Sequence, residues 1–255
     1  MTLFTIVPVA PMRAEPSHRS EMVSQLLFGE TALFIERSGD FILVKCLYDN
    51  YEGWCQSSQL TEINEETRFS NPSYVAAFTA ELLINNESCL IPHASQLPLN
   101  GSPAIQVGPY QILPLGKDFF KPSTSDDKAR LLTEFAFRYL NSPYLWGGKS
   151  VFGVDCSGLV QQVFKLAGTW LPRDSSEQAK LGETVEFIQA SKLGDLAFFD
   201  NEEGRIIHVG MMLDDQRIIH SSGYVHVDKI DSAGIIYHVT GARTHNLRII
   251  KRLFS

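Results

Sequence analysis

Through residues 1–60 the chain alternates or runs apolar in short stretches: TIVPVA, SQLLF, TALFIE, DFILVKCLY and GWCQ. Each is rich in β-branched and aromatic residues, the composition that suits a pleated, half-buried strand. Turn chemistry separates them at Pro16-Ser17-His18, Phe28-Gly29-Glu30, Ser38-Gly39-Asp40 and Asp49-Asn50. Short strands at this spacing predict a small barrel over 1–60. Residues 61–121 keep the habit less regularly. Thr61 to Phe69 is charged and reads as a linker or a short helix. Tyr74 to Phe78, Glu81 to Ile84, Cys89 to Pro92 and Tyr110 to Leu113 read as strands parted by Asn-Asn, Pro and Gly. A second, degenerate small β-domain is expected there.

From residue 122 the period changes. Pro122-Ser123-Thr124-Ser125 marks a boundary. Ser125 can cap a helix running to Tyr139, with Leu131, Leu132, Phe135 and Tyr139 at helical spacing and Pro143 as its stop. A Gly-rich loop containing Gly147, Gly148 and Gly153 then leads into Asp155-Cys156-Ser157-Gly158. Behind Cys156, apolar residues at Leu159, Val160, Val163, Phe164 and Ala167 predict a helix with one buried face, closed by Gly168. Asp155 is placed to be its N-cap. Asp174 or Ser175 can cap a short helix ended by Gly182. The period then drops to two at Leu196–Phe199, Arg205–Leu213, Arg217–His220, Tyr224–Val227 and Leu247–Leu253. Helices followed by a run of hairpin-joined strands predict an α+β domain over 122–255, with helices packed on one face of an antiparallel sheet.

A length of 255 residues leaves room for more than one domain. The formal charge of −7 argues against nucleic acid or an anionic membrane surface as the main partner. No apolar run approaches the ~20 residues of a membrane-spanning helix. The first twenty residues lack the basic and apolar regions of a signal peptide, so a cytoplasmic location is expected; removal of a leader would move it to the periplasm or outside. Cys46, Cys55, Cys89 and Cys156 form no CxxC pair and suggest neither a zinc motif nor a disulfide framework.

Cys156 stands apart, because a helix N-terminus favours the thiolate and lowers a cysteine's pKa. Such a thiolate is a nucleophile. The plainer alternative is a buried structural cysteine. Two histidines tip the balance. His208 and His220 lie in strand-like runs on either side of Asp214-Asp215-Gln216, which reads as a hairpin turn. A turn centred on 214 sets them directly opposite; one centred on 215 makes them diagonal neighbours. Either register puts both imidazoles on one face of the sheet. A cysteine, a histidine base and a second polar residue that orients the base make a nucleophile–base–orienter set. In it Cys156 attacks, His208 takes and returns the proton, and His220 fixes the tautomer of His208. The backbone N–H of Cys156 and the phenol of Tyr144 are candidate donors to the oxyanion.

Tyr144-Leu-Trp-Gly-Gly, Asp155-Cys156-Ser157-Gly158-Leu159, Arg173-Asp174-Ser175, Gly194-Asp195-Leu196-Ala197-Phe198-Phe199, His208-Val209-Gly210 and Ile219-His220-Ser221-Ser222-Gly223 resemble, in this order, the motifs of the NlpC/P60 cysteine peptidases. Arg13-x-x-Pro16, Ser-Gln-Leu-Leu-Phe-Gly-Glu and Tyr51-x-Gly-Trp-Cys resemble a bacterial SH3 domain. The combination is similar to the γ-D-glutamyl-L-diamino acid endopeptidases of that family. The resemblance implies a papain-like catalytic domain behind two small SH3-like barrels. It implies hydrolysis of the bond between γ-D-Glu and meso-diaminopimelate or lysine in muropeptides with a free N-terminal L-Ala, with no cofactor. It carries the catalytic roles onto Cys156, His208, His220 and Tyr144. Substrate contacts fall on Trp146, Ser157, Asp174 and Ser175, with Asp174 suited to the L-Ala ammonium. From the first barrel come Tyr51 and Glu21, with Glu15 as a rival to Glu21. A monomer is expected, with the muropeptide as partner.

Other readings fare worse. Gly148-Lys149-Ser150 ends like a phosphate-binding loop, but the first glycine of that pattern would fall on Pro143. Cys156, His208 and His220 are suitable zinc ligands without a closely spaced chelating pair, so no metal is expected on them. A wall-binding protein would have no need of an intact Cys/His/His set. A transferase of the same fold differs only in what resolves the acyl-enzyme, which residues alone do not decide. The remaining histidines, His18, His93, His226, His238 and His245, are expected to have no catalytic role.

Overall fold

The computed structural model describes residues 1–63, 72–99, 104–123 and 127–254. The chain divides into two compact units, Met1–Thr124 with Trp146–Phe152, and Ser125–Leu145 with Gly153–Ser255. Among the described residues no helix is long and apolar enough to cross a membrane.

The first unit is built from sheet. Strands β1 (Thr2–Thr5), β2 (Val9–Arg13), β3 (Met22–Leu27), β4 (Thr31–Ser38), β5 (Phe41–Cys46), β6 (Glu52–Gln56) and β7 (Leu60–Ile63) form one antiparallel sheet in the order β3-β2-β6-β5-β4-β1-β7. The run TIVPVA, expected as one strand, is broken between β1 and β2 at Ile6–Pro8, since a proline has no N–H to give a ladder. The sheet curls round Leu3, Ala10, Met12, Leu26, Ile42, Val44 and the free thiols Cys46 and Cys55.

Next come β8 (Ser73–Val75), β9 (Thr79–Ile84), β10 (Glu87–Pro92), β11 (Gln96–Leu97), β12 (Ile105–Val107), β13 (Tyr110–Pro114) and β14 (Phe119–Phe120), in a four-stranded and a three-stranded sheet. Their core, Val75, Leu82, Ile91, Val107 and Ile112, is continuous with Phe4, Phe28 and Ile63 from the preceding residues. The linker or helix expected from Thr61 begins instead as the end of β7, and its remainder lies outside the described residues.

The segment Trp146–Phe152 also belongs to this unit and holds β15 (Lys149–Ser150). Gly147, at φ +75°, approaches β3 so closely that a Cβ there would stand 2.5 Å from the Met22 carbonyl oxygen. Behind it the Lys149 ammonium lies 3.0 Å from Glu30 Oε2, both side chains 1 % exposed. The Lys149 N–H donates to Gln25 Oε1 at 2.8 Å.

In the second unit, α1 (Lys128–Arg138) starts at Asp127, whose carboxylate accepts from the Arg130 N–H. The cap expected at Ser125 lies outside the described residues. After β16 (Gly153–Val154) comes α2 (Cys156–Leu166), then α3 (Ser175–Gln178). Every residue of α2 is buried, not one face alone. It packs against α1, α3 and two sheet strands, so a helix with an apolar stripe is enclosed on all sides and its glutamines are taken inside. Gln161, for instance, donates to the Leu171 carbonyl at 3.2 Å.

Strands β17 (Glu183–Thr184), β18 (Leu196–Asp200), β19 (Ile206–Met212), β20 (Arg217–Ser222), β21 (Tyr224–Asp231), β22 (Gly234–Ile236) and β23 (Arg243–Arg252) make an antiparallel sheet in the order β17-β23-β18-β19-β20-β21-β22. Because β22 also pairs with β23, the sheet closes on itself. The antiparallel sheet expected from the strand pattern thus forms a barrel; β22, only three residues long, carries too few positions to show a period. Ala197, Phe199, Met212, Ile218, Ile230 and Ile235 fill its interior.

Candidate active site

The chemistry of the second unit follows from which residues share the barrel's inner face. In the β19–β20 hairpin Gly210 pairs with His220 and Met212 with Ile218, so the turn is centred on 215 and His208 and His220 are diagonal neighbours. Side chains alternate across a strand, so His208 and Gly210 share the face of Met212, and His220 shares that of Ile218. In the next hairpin His220 faces His226 and Ile218 faces Asp228. The inner wall thus changes along the strands from Met212, Ile218 and Ile230 to imidazoles and one carboxylate. Gly210 makes the room. A Cβ there would stand 2.6 Å from Ile218 Cδ1 and 2.9 Å from His220 Cβ.

Hydrogen bonds order this cluster. His208 Nε2 lies 2.9 Å from His220 Nδ1, and His220 Nε2 lies 3.1 Å from Asp228 Oδ2. A carboxylate only accepts, so His220 carries its proton on Nε2. Its Nδ1 then accepts from His208 Nε2–H, and His208 Nδ1 keeps a lone pair. Asp228 is held in turn by the backbone N–H and Nδ1 of His238, at 2.8 and 2.7 Å on Oδ1. His226 Nε2 lies 3.1 Å from Asp228 Oδ2. Burial raises the Asp228 carboxyl, but bonds from His220 and His238 outweigh it and hold it well below the carboxylate range. Burial lowers His208 far below 6.5, assisted by His220, His245 and His226. Burial also lowers His220, more than Asp228 restores.

Cys156 opens α2 as the sequence predicts. Asp155 at its N-cap accepts from the Gly158 N–H at 2.6 Å. Asp155 also receives both arms of the Arg173 guanidinium, at 3.0 and 2.5 Å, with Arg173 1 % exposed. The Cys156 sulfur accepts from the backbone N–H of Val209, the residue after His208. A lowered thiol pKa was expected at this helix start. Instead burial, then the Asp155 charge, push it up to about 12, against the smaller pull of Val209, Arg173 and Ser157. The helix terminus favours the thiolate, but desolvation at a buried sulfur is the larger effect. Both shifts favour the neutral forms, a thiol and an uncharged imidazole.

A cavity of about 290 Å³ opens over this arrangement, lined by Tyr144, His208, Ser221, Ser222 and His245 among others. Burial pushes the Tyr144 phenol up to about 12, with Cys156 and Asp155 adding to it, so it stays a donor. His245, expected to be idle, stacks on His208 with ring centres 4.2 Å apart and planes 26° apart. Burial, then His220, lower His245 to about 4. The arrangement offers a thiol, an imidazole lone pair, an oriented relay and a phenolic donor, the parts of acyl transfer to sulfur.

The other predicted residues fall in several places. Ser157 is buried, and its hydroxyl is taken by Arg173 Nη1 at 2.8 Å and Asp155 Oδ1 at 3.3 Å. It supports the head of α2. Asp174 is exposed at the head of α3, where its carbonyl, not its carboxylate, accepts from Glu177 and Gln178; Ser175 is half-buried. Tyr51, Glu21 and Trp146 belong to the first unit. There Tyr51 packs on the first barrel's core. Trp146 is 61 % exposed and its indole N–H donates to Glu21 Oε1 at 2.6 Å, which favours Glu21 over its rival Glu15 as a residue tied to the motif. Sequence reasoning missed Asp228, His245 and the Arg173–Asp155 pair. Three donors, His220, His226 and Asp228, are close enough to hold a metal ion.

Residues 141–244 match the model of the NlpC/P60 family, and residues 12–60 match that of the bacterial dipeptidyl-peptidase Sh3 domain. A gamma-D-glutamyl-L-lysine dipeptidyl-peptidase of Bacillus cereus is 28% identical over 90% of this chain and 77% of the relative. One of the same name from Bacillus subtilis is 30% identical over 78% of this chain and 71% of the relative. The crystal structure of an NlpC/P60 family protein from Bacillus cereus superposes with a TM-score of 0.84 at 23% identity, covering 99% of both chains, and shares the fold. On the 30% identity over more than two thirds of the Bacillus subtilis relative and the matched domain that holds Cys156, His208 and His220, the chain belongs to the NlpC/P60 family.

Proposed function

We propose that this protein is a cysteine peptidase that hydrolyses the bond between γ-D-Glu and the diamino acid, meso-diaminopimelate or lysine, of cell-wall muropeptides. Its substrates carry a free N-terminal L-Ala, and L-Ala-D-Glu is released. The observation that carries the reading is the His208–His220–Asp228 relay beside the thiol at the head of α2. The names of the relatives support the substrate class.

In the reaction His208 Nδ1 takes the thiol proton as the Cys156 sulfur bonds to the γ-carbonyl carbon. The Tyr144 phenol donates to the oxyanion. His208 then gives its proton to the diamino acid's α-nitrogen as the C–N bond breaks. Water attacks the thioester, loses a proton to His208, and the proton returns to sulfur as the dipeptide leaves. His220 holds the tautomer and Asp228 holds His220, so the transferred proton always uses the same nitrogen of His208.

Asp174, Ser175, Ser157, Trp146, Tyr51 and Glu21 read the substrate, Asp174 through the ammonium of its L-Ala. Residues 1–60 and 61–121 are two SH3-like domains before a catalytic domain over 122–255. The protein works as a monomer without cofactor, nucleic acid or membrane surface. Its place is the cytoplasm, to which four free thiols are suited.

The test is cleavage of L-Ala-γ-D-Glu-meso-diaminopimelate, of its lysine counterpart and of an N-acetylated control, by wild type and Cys156→Ala. Release of L-Ala-D-Glu by wild type alone, with the acetylated peptide intact, is the expected result. Equal cutting of the acetylated peptide would remove the amine-reading role of Asp174 and leave the peptidase. No cutting of any peptide, with binding retained, would replace the enzyme by a wall-peptide binder.

A further inference from the structure

The cluster beyond His220 holds more than an orienting residue needs. His220 Nε2, His226 Nε2 and an Asp228 oxygen lie within 4.8 Å of one another. Asp228 Oδ2 is 3.1 Å from each of the two nitrogens. His226 Nδ1 is 2.8 Å from the Tyr224 carbonyl oxygen, so Nδ1 carries a proton. In the neutral ring the lone pair on Nε2 would then face the carboxylate oxygen, and two acceptors repel. A positive charge there, either a proton on Nε2 or a cation held between the two atoms, removes the repulsion.

The surroundings are those of a metal site. A metal-binding imidazole is held by a carbonyl or carboxylate on its far nitrogen, and a ligating carboxylate is itself hydrogen-bonded. Here the Tyr224 carbonyl holds His226, and His238 holds Oδ1 of Asp228, leaving Oδ2 turned to the imidazoles. Two neutral imidazoles and one carboxylate, with a water as fourth ligand, make a donor set that suits zinc. The His238 side chain, 41% exposed, covers Asp228.

We propose that His220, His226 and Asp228 bind one zinc ion and that zinc there switches the His208 relay off. On coordination His226 Nε2 gives up any proton it carries to solvent, and the His220 proton moves from Nε2 to Nδ1. His220 Nδ1–H then donates to His208 Nε2. His208 must now carry its proton on Nδ1, and no lone pair is left for the thiol. Zinc acts by reversing the His208–His220 hydrogen bond and by taking the place of the proton between His220 and Asp228, with the sulfur untouched. The inhibition rests on the peptidase reading above; the binding does not.

The experiment titrates zinc into the full-length Cys156→Ala protein by calorimetry, and into the same protein carrying His226→Ala. One ion per chain is expected, bound at least about tenfold more weakly without His226. With the muropeptide substrate, wild type should lose activity in zinc and recover in EDTA. His226→Ala, measured relative to its own metal-free activity, should need at least about tenfold more zinc for the same fractional loss. X-ray absorption on zinc-loaded wild type, which needs no variant to fold, should show nitrogen and oxygen neighbours only. Sulfur in that shell, loss of binding in Cys156→Ala, or unchanged affinity in His226→Ala would each overturn the site. Zinc binding as expected with no peptide cleaved in metal-free buffer would leave the site and remove the peptidase.

Discussion

His220 Nε2 lies 3.1 Å from Asp228 Oδ2, and that one bond decides which nitrogen of His208 is left as a base. The carboxylate fixes the proton of His220 on Nε2, so Nδ1 can only accept from His208. An amide in place of the carboxylate breaks this logic, because its NH₂ can donate to His220 Nε2 and reverse both tautomers. Asp228→Asn should therefore keep the fold and lower kcat by up to about 10⁴, the loss seen when a buried aspartate that orients a catalytic histidine becomes an amide. Steady-state kinetics beside a thermal melt checks this. An unchanged kcat would take Asp228 out of the relay.

The pH dependence follows from the direction in which His208 is shifted. Burial, followed by His220, His245 and His226, lowers it well below 6.5. The base works unprotonated, so the depressed value extends activity toward acid. The acid limb of kcat/KM should fall below pH 6.5, with a level profile between 6.5 and 7. The same shift acts on stability. The unfolded chain binds a proton at His208 near pH 6.5 and the folded chain does not, so this contribution is present above 6.5 and is lost as the pH falls below it. A kcat/KM profile and denaturant midpoints at matched pH values measure both. An acid limb at or above 6.5 would mean that His208 is not buried in the working enzyme.

Much of this was legible from period and punctuation. Alternation located β3, β4, β5, β18, β19 and β20, and Asp155 before an apolar run located the cap of α2. The turn at 214–216 allowed two registers, and both kept His208 and His220 on one face. Asp228 was within reach by the same argument. A turn at Gly223 pairs His220 with His226 and puts Asp228 two residues on, on the same face. The apolar alternation ends at Val227, one residue before Asp228. His245 was out of reach. Its place on His208 depends on barrel closure and on the β-bulge at Phe198/Phe199, neither of which leaves a periodic trace. The thiol's raised pKa was also out of reach, since the helix terminus is visible in sequence and the burial of the sulfur is not.

Arg173 makes the strongest structural prediction. Its guanidinium pairs with Asp155 through both arms and reaches Ser157 at 2.8 Å, with both charges buried. Removing one partner of a buried pair strands the other charge without solvent. Arg173→Ala should cost about 3–5 kcal/mol, read as a fall in the urea midpoint at constant m. Arg173→Lys should rescue little of it, because an ammonium cannot fill a two-pronged contact. Since Asp155 also caps α2 at Gly158, the head of the helix that carries Cys156 should loosen as well, and kcat should fall in any folded fraction of the variant. A loss of less than about 1 kcal/mol would place the pair with exposed ion pairs in its energetics.

Gly210 separates room from stability. Its φ is not in the left-handed region, so an alanine there meets no backbone strain. What it meets is side chains. The added Cβ would stand 2.6 Å from Ile218 Cδ1, the end of a side chain that can turn away, and 2.9 Å from His220 Cβ, which is fixed to its strand. Relief must therefore come partly from moving His220. A forced methyl in a packed interior costs about 1–3 kcal/mol, within reach of a protein that still folds. The His208–His220 contact is only 2.9 Å long and has no slack. Gly210→Ala should thus retain a cooperative melt, somewhat lowered, and lose kcat out of proportion to it, with KM little changed because the change acts on the relay and not on the cavity wall. If kcat falls only as far as the folded fraction falls, Gly210 serves packing alone.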